Sequence, residues 1–202
     1  MKDGMVNGSM SHIDCFNLFV ANIEEVVSGD RKFRSLKNVD LVFFPVIQGS
    51  HFYLICFDMK IGRVILLDNM IYTIPFEGRY GEFPNKLKSI FVEYLKSIGN
   101  VKANDIEEAD FEAPELKWGT RKNVVDCGIF VMRHMETFAG GHLSRWDCDI
   151  CEENRAQKFI LTKLRKKYVT KLLLSNENKQ KTKVLLDARS YANSLKALGR
   201  GY

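Results

Sequence analysis

Three apolar runs in close succession, "VDLVFFPVI" (39–47), "HFYLICFDM" (51–59) and "RVILLDNM" (63–70), limit the folds open to this chain. They are rich in β-branched and aromatic residues, which suit a pleated backbone. The middle run is the most restrictive. Phe52, Leu54 and Cys56 alternate with Tyr53, Ile55 and Phe57, so both of its faces are largely apolar. Such a strand needs cover on both sides and belongs inside a sheet. The "KIG" between the last two runs marks a hairpin.

The cover comes from helical patterns on either side. "HIDCFNLFVANIEEVV" places Phe16, Phe19, Val20 and Ile23 at helical spacing, and "FPNKLKSIFVEYLKSIG" does the same with Leu87, Ile90, Phe91 and Leu95 before Gly99 ends it. An acidic loop strand, "DIEEADFEAPEL", follows. Residues 127–138 form another helix, with Asp126 expected at the N-cap and Gly140 and Gly141 beyond the end. Ile129, Phe130, Val131, Met132, Met135 and Phe138 leave this helix apolar nearly all round, as buried helices are. From about Ala156 two basic helices are expected, "KFILTKLRKKYVTKLLL" and "KTKVLLDARSYANSLKAL". The pattern is α+β. With 202 residues the expectation is one domain spanning 1–202, with its core at 39–141 and a basic helical extension at 156–202.

Charge follows that division. Residues 157–202 carry 12 Lys and Arg against Glu177 and Asp187, a local +10 within a total of +5, which leaves −5 elsewhere. No recognised nucleic-acid motif accompanies the basic stretch, so weak electrostatic contact is the most it implies and sequence-specific binding is not expected. The opening residues offer no apolar signal core, and no later stretch reaches the roughly 18 apolar residues of a membrane span. A soluble, intracellular protein with free thiols is therefore expected, and its five cysteines are an odd number for a disulfide framework. "CDIC" (148–151) could be combined with His134 and His142 into four zinc ligands, but the spacing fits no standard site, and unliganded thiols are expected.

Chemistry concentrates in "NVVDCGIFVMRHME" (123–136). Cys127 heads the helix, and a helix N-terminus with a nearby imidazolium favours the thiolate that makes a cysteine nucleophilic. His51 opens one strand of the hairpin and Asp68 closes its partner, 17 residues on. The two share a face if paired residue numbers sum to an odd value, as an even-length loop ensures. Asp68 would then orient His51, and His51 would take the thiol proton.

"HFYLICFDMKIGRVILLDNM" followed by "DCGIFVMRHME" resembles the SUMO and ubiquitin-like protein-specific cysteine proteases, especially their plant and transposon-associated branch. The resemblance spans about residues 39–141 and implies a papain-like fold, with a central mixed sheet and the nucleophile at the N-terminus of a buried helix. It assigns His51, Asp68 and Cys127 as the catalytic triad. It also implies cleavage after the C-terminal Gly-Gly of a SUMO-like or ubiquitin-like modifier, in maturation or in release from conjugates. No cofactor or metal is implied. The partner would be the modifier or its conjugates, the protein would act as a monomer in the nucleus or cytoplasm, and no membrane is involved.

Two positions depart from the family pattern. Arg121 stands where the family has a glutamine that stabilises the oxyanion, so Arg121 and Asn123 become oxyanion candidates beside the Cys127 backbone N–H. Phe52 replaces the tryptophan that commonly follows the histidine, and with Trp118 it is a candidate wall of the glycine tunnel. The alternative is a protease-like domain, inactive or weakened, that binds a ubiquitin-like modifier without cleaving it.

Overall fold

A computed structural model of the chain describes residues 10–28, 33 and 36–197. Contacts divide it into two units, 1–154 and 155–202. In the first, helix α1 (His12–Ser28) precedes strands β1 (Leu41–Gln48), β2 (His51–Asp58) and β3 (Arg63–Leu67). Helices α2 (Phe76–Tyr80), α3 (Phe83–Ser97) and α4 (Ala103–Glu108) come next, then β4 (Phe111–Glu112) and α5 (Cys127–Thr137). The sheet runs in the order β1-β2-β3-β4, antiparallel except for the parallel β3–β4 pair, so it is mixed as expected. Pro45 lies on β1, an outer strand, where a missing backbone donor is tolerated.

β2 is an interior strand and is buried from Tyr53 to Asp58. One face, with Tyr53, Ile55 and Phe57, joins Val64, Leu66, Phe19, Phe91 and Tyr94 in the main core. Phe91 sits at the centre of that core, its ring centroid 4.5 Å from Phe57 and 5.4 Å from Phe44. Truncating such a fully buried ring costs about 3–5 kcal/mol. α5 packs against β2, where Leu54 and Cys56 are fully buried. The strand is thus apolar on both faces because helices lie on both sides of it.

The turns set the register. β1 and β2 are joined by two residues, with Gly49 at φ 61°, so Gln48 pairs with His51 and His51 becomes the first residue of its strand. β2 and β3 are joined by the four residues 59–62, where Asp58 Oδ1 accepts from the N–H groups of Lys60 and Ile61, and Gly62 takes φ 71°. Leu54 pairs with Leu67 in consequence, an odd sum, which places His51 and Asp68 at one end of the hairpin.

Two local expectations are corrected. Most of the acidic stretch at 105–116 is not strand: residues 103–108 are helical, and only Phe111 and Glu112 pair with β3. Asp126 holds the N-cap position of α5 as expected but makes no side-chain capping hydrogen bond; its Oδ2 accepts from Asn123 Nδ2 at 2.9 Å. The short helix α2, entered through Pro75, had no counterpart in the sequence reading. The second unit consists of helices α6 (Arg155–Leu174) and α7 (Lys181–Ala197). No described helix is long and apolar enough to cross a membrane.

Candidate active site

The hairpin end supplies the first pair. His51 Nε2 lies 2.9 Å from Asp68 Oδ1 and 3.0 Å from Oδ2. A carboxylate only accepts, so Nε2 carries the proton of this bond, and in the neutral ring Nδ1 is the nitrogen with the lone pair. That tautomer leaves a base available on the side of the ring away from Asp68. Asp68 is buried while the His51 side chain is 22% exposed, so the acid is enclosed and the imidazole reaches the surface.

Cys127 begins α5, an 11-residue helix whose first N–H groups favour an anion. A Cβ added to Gly128 would stand 4.0 Å from Phe52 Cδ2, so the first turn of the helix lies against the residue that follows His51. Phe52 is 37% exposed and flanks the helix that Cys127 begins. A second exposed aromatic, Tyr72, stands edge-on to His51 with ring centroids 6.5 Å apart. Its hydroxyl is pushed up, first by burial, with the smallest contribution coming from the neighbouring Cys127. Cys127 is itself buried at 5% exposure. Burial drives the Cys56 and Cys148 thiols up, Cys148 to about 12, so each of those two is held protonated.

The segment before Cys127 is splinted to the segment after Asp68. Thr120 N–H donates to the Asn69 carbonyl at 2.6 Å, Ile71 N–H donates to the Thr120 carbonyl at 2.8 Å, and Asn69 Nδ2 donates to Thr120 Oγ1 at 3.0 Å. Gly119 permits this approach, since a Cβ there would stand 2.7 Å from Ile71 Cγ1. Glu153 then accepts from the N–H groups of Arg121 at 2.8 Å and Lys122 at 3.0 Å, and these backbone bonds hold its carboxyl below the usual range.

The oxyanion candidates differ in what they have left to offer. The Arg121 residue is exposed and only its backbone N–H is taken by Glu153. Asn123 is committed to its own loop: Nδ2 donates to Asp126, and Oδ1 accepts from the N–H groups of Val125 and Asp126. Trp118, the other candidate for the tunnel wall, faces inward. It is 3% exposed, its Nε1 donates to His134 Nε2 at 2.9 Å, and its ring meets Trp146 at 4.8 Å. An isolated tryptophan in a loop gives no sign of which way it faces, and the exposed aromatic beside His51, in addition to Phe52, is Tyr72. His134, on α5, is buried among these rings, and desolvation holds it down to about 3.

A family model described as the Ulp1 protease family, C-terminal catalytic domain, matches residues 18–174. The chain belongs to that family. Its fold is accordingly the α+β, papain-like one, and the family is one of cysteine peptidases acting on SUMO. Comparison with the curated proteins and with the solved structures returned no match. Sequence reasoning missed Tyr72, Arg79, Tyr80 and Glu153 at this site. All four reach it from loops or from a one-turn helix, where no periodic pattern announces a role.

Proposed function

We propose that the protein is a cysteine protease that cleaves after the C-terminal Gly-Gly of a SUMO-like modifier, either to mature it or to release it from lysine. The observation that carries this reading is the His51–Asp68 pair, closed through Nε2, at the sheet end where the Cys127 helix packs. His51 Nδ1 takes the Cys127 proton, and Sγ attacks the carbonyl carbon of the terminal glycine. The tetrahedral oxyanion collapses to a thioester as the leaving amine receives the proton from His51. Water, deprotonated by His51, then hydrolyses the thioester, giving a free glycine carboxylate and the thiol. Asp68 fixes the imidazole throughout. Phe52 and Tyr72 wall the approach, and a cleft between aromatic rings admits glycine by excluding side chains.

Oxyanion stabilisation falls to the Cys127 N–H and to the Arg121 side chain, which stands at the position of the family glutamine. One oxyanion donor is worth about 10²–10³ in kcat, so Arg121→Ala is expected to lower turnover by that order and Arg121→Gln, which keeps a donor there, to retain it; activity that appears only in Arg121→Gln would favour a domain that binds the modifier without cleaving it.

The second reading, a module that binds the modifier without cleaving it, is favoured by Asn123 bonding its amide to Asp126. Incubating the protein with precursor SUMO and precursor ubiquitin separates the two. Loss of the C-terminal extension from the SUMO precursor, absent in Cys127→Ser, is the expected result. Binding of either modifier with no cleavage would establish the second reading instead.

A further inference from the structure

Asp68 is held by more donors than orienting one imidazole requires. Its Oδ1 accepts from Met70 N–H at 2.8 Å and its Oδ2 from Tyr80 OH at 3.2 Å, while Arg79 Nη2 makes an ion pair with Oδ2. The same guanidinium donates through Nη1 to the Met70 carbonyl at 3.0 Å. It also lies over the Tyr72 ring, 3.1 Å from the centroid, and 4.5 Å from the centroid of Tyr80. Its side chain is 11% exposed. One nearly buried cation therefore touches the acid, the main chain just after it, and the exposed aromatic beside the histidine.

Stability alone is a poor account of such a pair. Replacing a buried ion pair with apolar groups of similar size is often neutral or stabilising, so its presence calls for another reason. Orientation supplies one. The carboxylate torsion of aspartate is broad, and an acid bonded only to histidine can swing. Here each oxygen has a backbone or side-chain donor of its own in addition to Nε2, and the planar fork of Arg79 ties Oδ2 to the Met70 carbonyl at a fixed spacing.

We infer that Arg79 is a positioning residue of the triad, locking the Asp68 carboxylate against His51 and backing Tyr72 against the same imidazole. This rests on the protease reading above. It assigns to the short helix α2 the job of delivering Arg79 and Tyr80 to the acid. It also implies that loss of the guanidinium loosens the histidine without unfolding the protein. A displacement of about 1 Å at a reacting group can cost around 10²-fold, so the effect is measurable.

The test reads the Cys127 thiol directly and needs no modifier. Alkylation of Cys127 by iodoacetamide at neutral pH is followed by peptide mass spectrometry in wild type, His51→Ala, Asp68→Asn, Arg79→Met, Arg79→Lys and the Asp68→Asn/Arg79→Met double variant, with thermal melts alongside. Arg79→Met is expected to slow Cys127 by about 10-fold or more, with partial recovery in Arg79→Lys. In the Asp68→Asn background the same change is expected to matter by less than about 2-fold, because Arg79 acts through the acid. Should Arg79→Met fail to fold, Arg79→Gln replaces it with the same expected order. A wild-type rate in the arginine variants, or a full additional loss on top of Asp68→Asn, would overturn the role of Arg79. If wild-type Cys127 reacts no faster than in His51→Ala, the protease reading itself falls, and the Arg79 role with it.

Discussion

His51, at the sheet end against which α5 packs, and His134, within α5, sit in opposite surroundings. His51 lies at a sheet end, partly exposed, with Nε2 bonded to the Asp68 carboxylate. His134 sits inside α5 with no exposure, accepts an indole N–H from Trp118, and is held down to about 3 by burial. The first is an imidazole hydrogen-bonded to a buried carboxylate, and the second is a neutral member of an aromatic core. Residue type does not separate them; what separates them is whether a carboxylate or only rings stand beside the imidazole.

The contrast breaks first at the polar end. Cys127→Ser and His51→Ala are each expected to lower kcat by about 10⁶-fold against a modifier carrying a C-terminal fluorophore. A loss below tenfold in either would remove the triad assignment. Asp68→Asn is expected to cost about 10⁴-fold through the wrong tautomer, with a melting curve showing that the fold persists.

At the aromatic end the expected effects are on stability. His134→Gln keeps an acceptor for Trp118 and should leave kcat/KM within about 3-fold, as a residue outside the reacting groups. Its signature is pH dependence. The folded imidazole stays neutral down to about pH 3, whereas the unfolded one takes a proton near its usual 6.5. The unfolded chain therefore binds more protons in that window. The stability from the buried neutral ring is complete above 6.5 and drains as pH falls toward 3, by up to about 1.4 kcal/mol per pH unit. Urea unfolding at several pH values should show a shallower acid loss in His134→Gln than in wild type; equal slopes would contradict the burial argument. The smallest effect is expected from Asn123→Ala, which removes the turn before α5 and should cost about 1 kcal/mol of stability in the same assay.

Legibility in the sequence followed the same divide. The sheet was readable because β2 has apolar residues on both faces, and the hairpin register because an even loop forces odd pairing sums, from which the meeting of His51 and Asp68 follows. The α5 boundaries were readable from apolar residues that stop at paired glycines. Loop geometry was not. Asn123 turned inward to Asp126, Trp118 into the core, and Glu153 onto the backbone of Arg121, and none of these directions is encoded by periodicity. Arg79 was hidden for a related reason, since a five-residue helix is too short to show a face.

The central claim is that Cys127 is a nucleophile armed by His51 and presented to a Gly-Gly tail. The most direct measurement is mass spectrometry of the intact protein after incubation with SUMO bearing a C-terminal electrophile, beside the corresponding ubiquitin probe. A SUMO adduct that maps to Cys127, fails in Cys127→Ser and is slowed at least about 10²-fold in His51→Ala is the predicted result. A folded wild-type sample that forms no adduct with either probe, or one that forms it at another cysteine, would contradict the account.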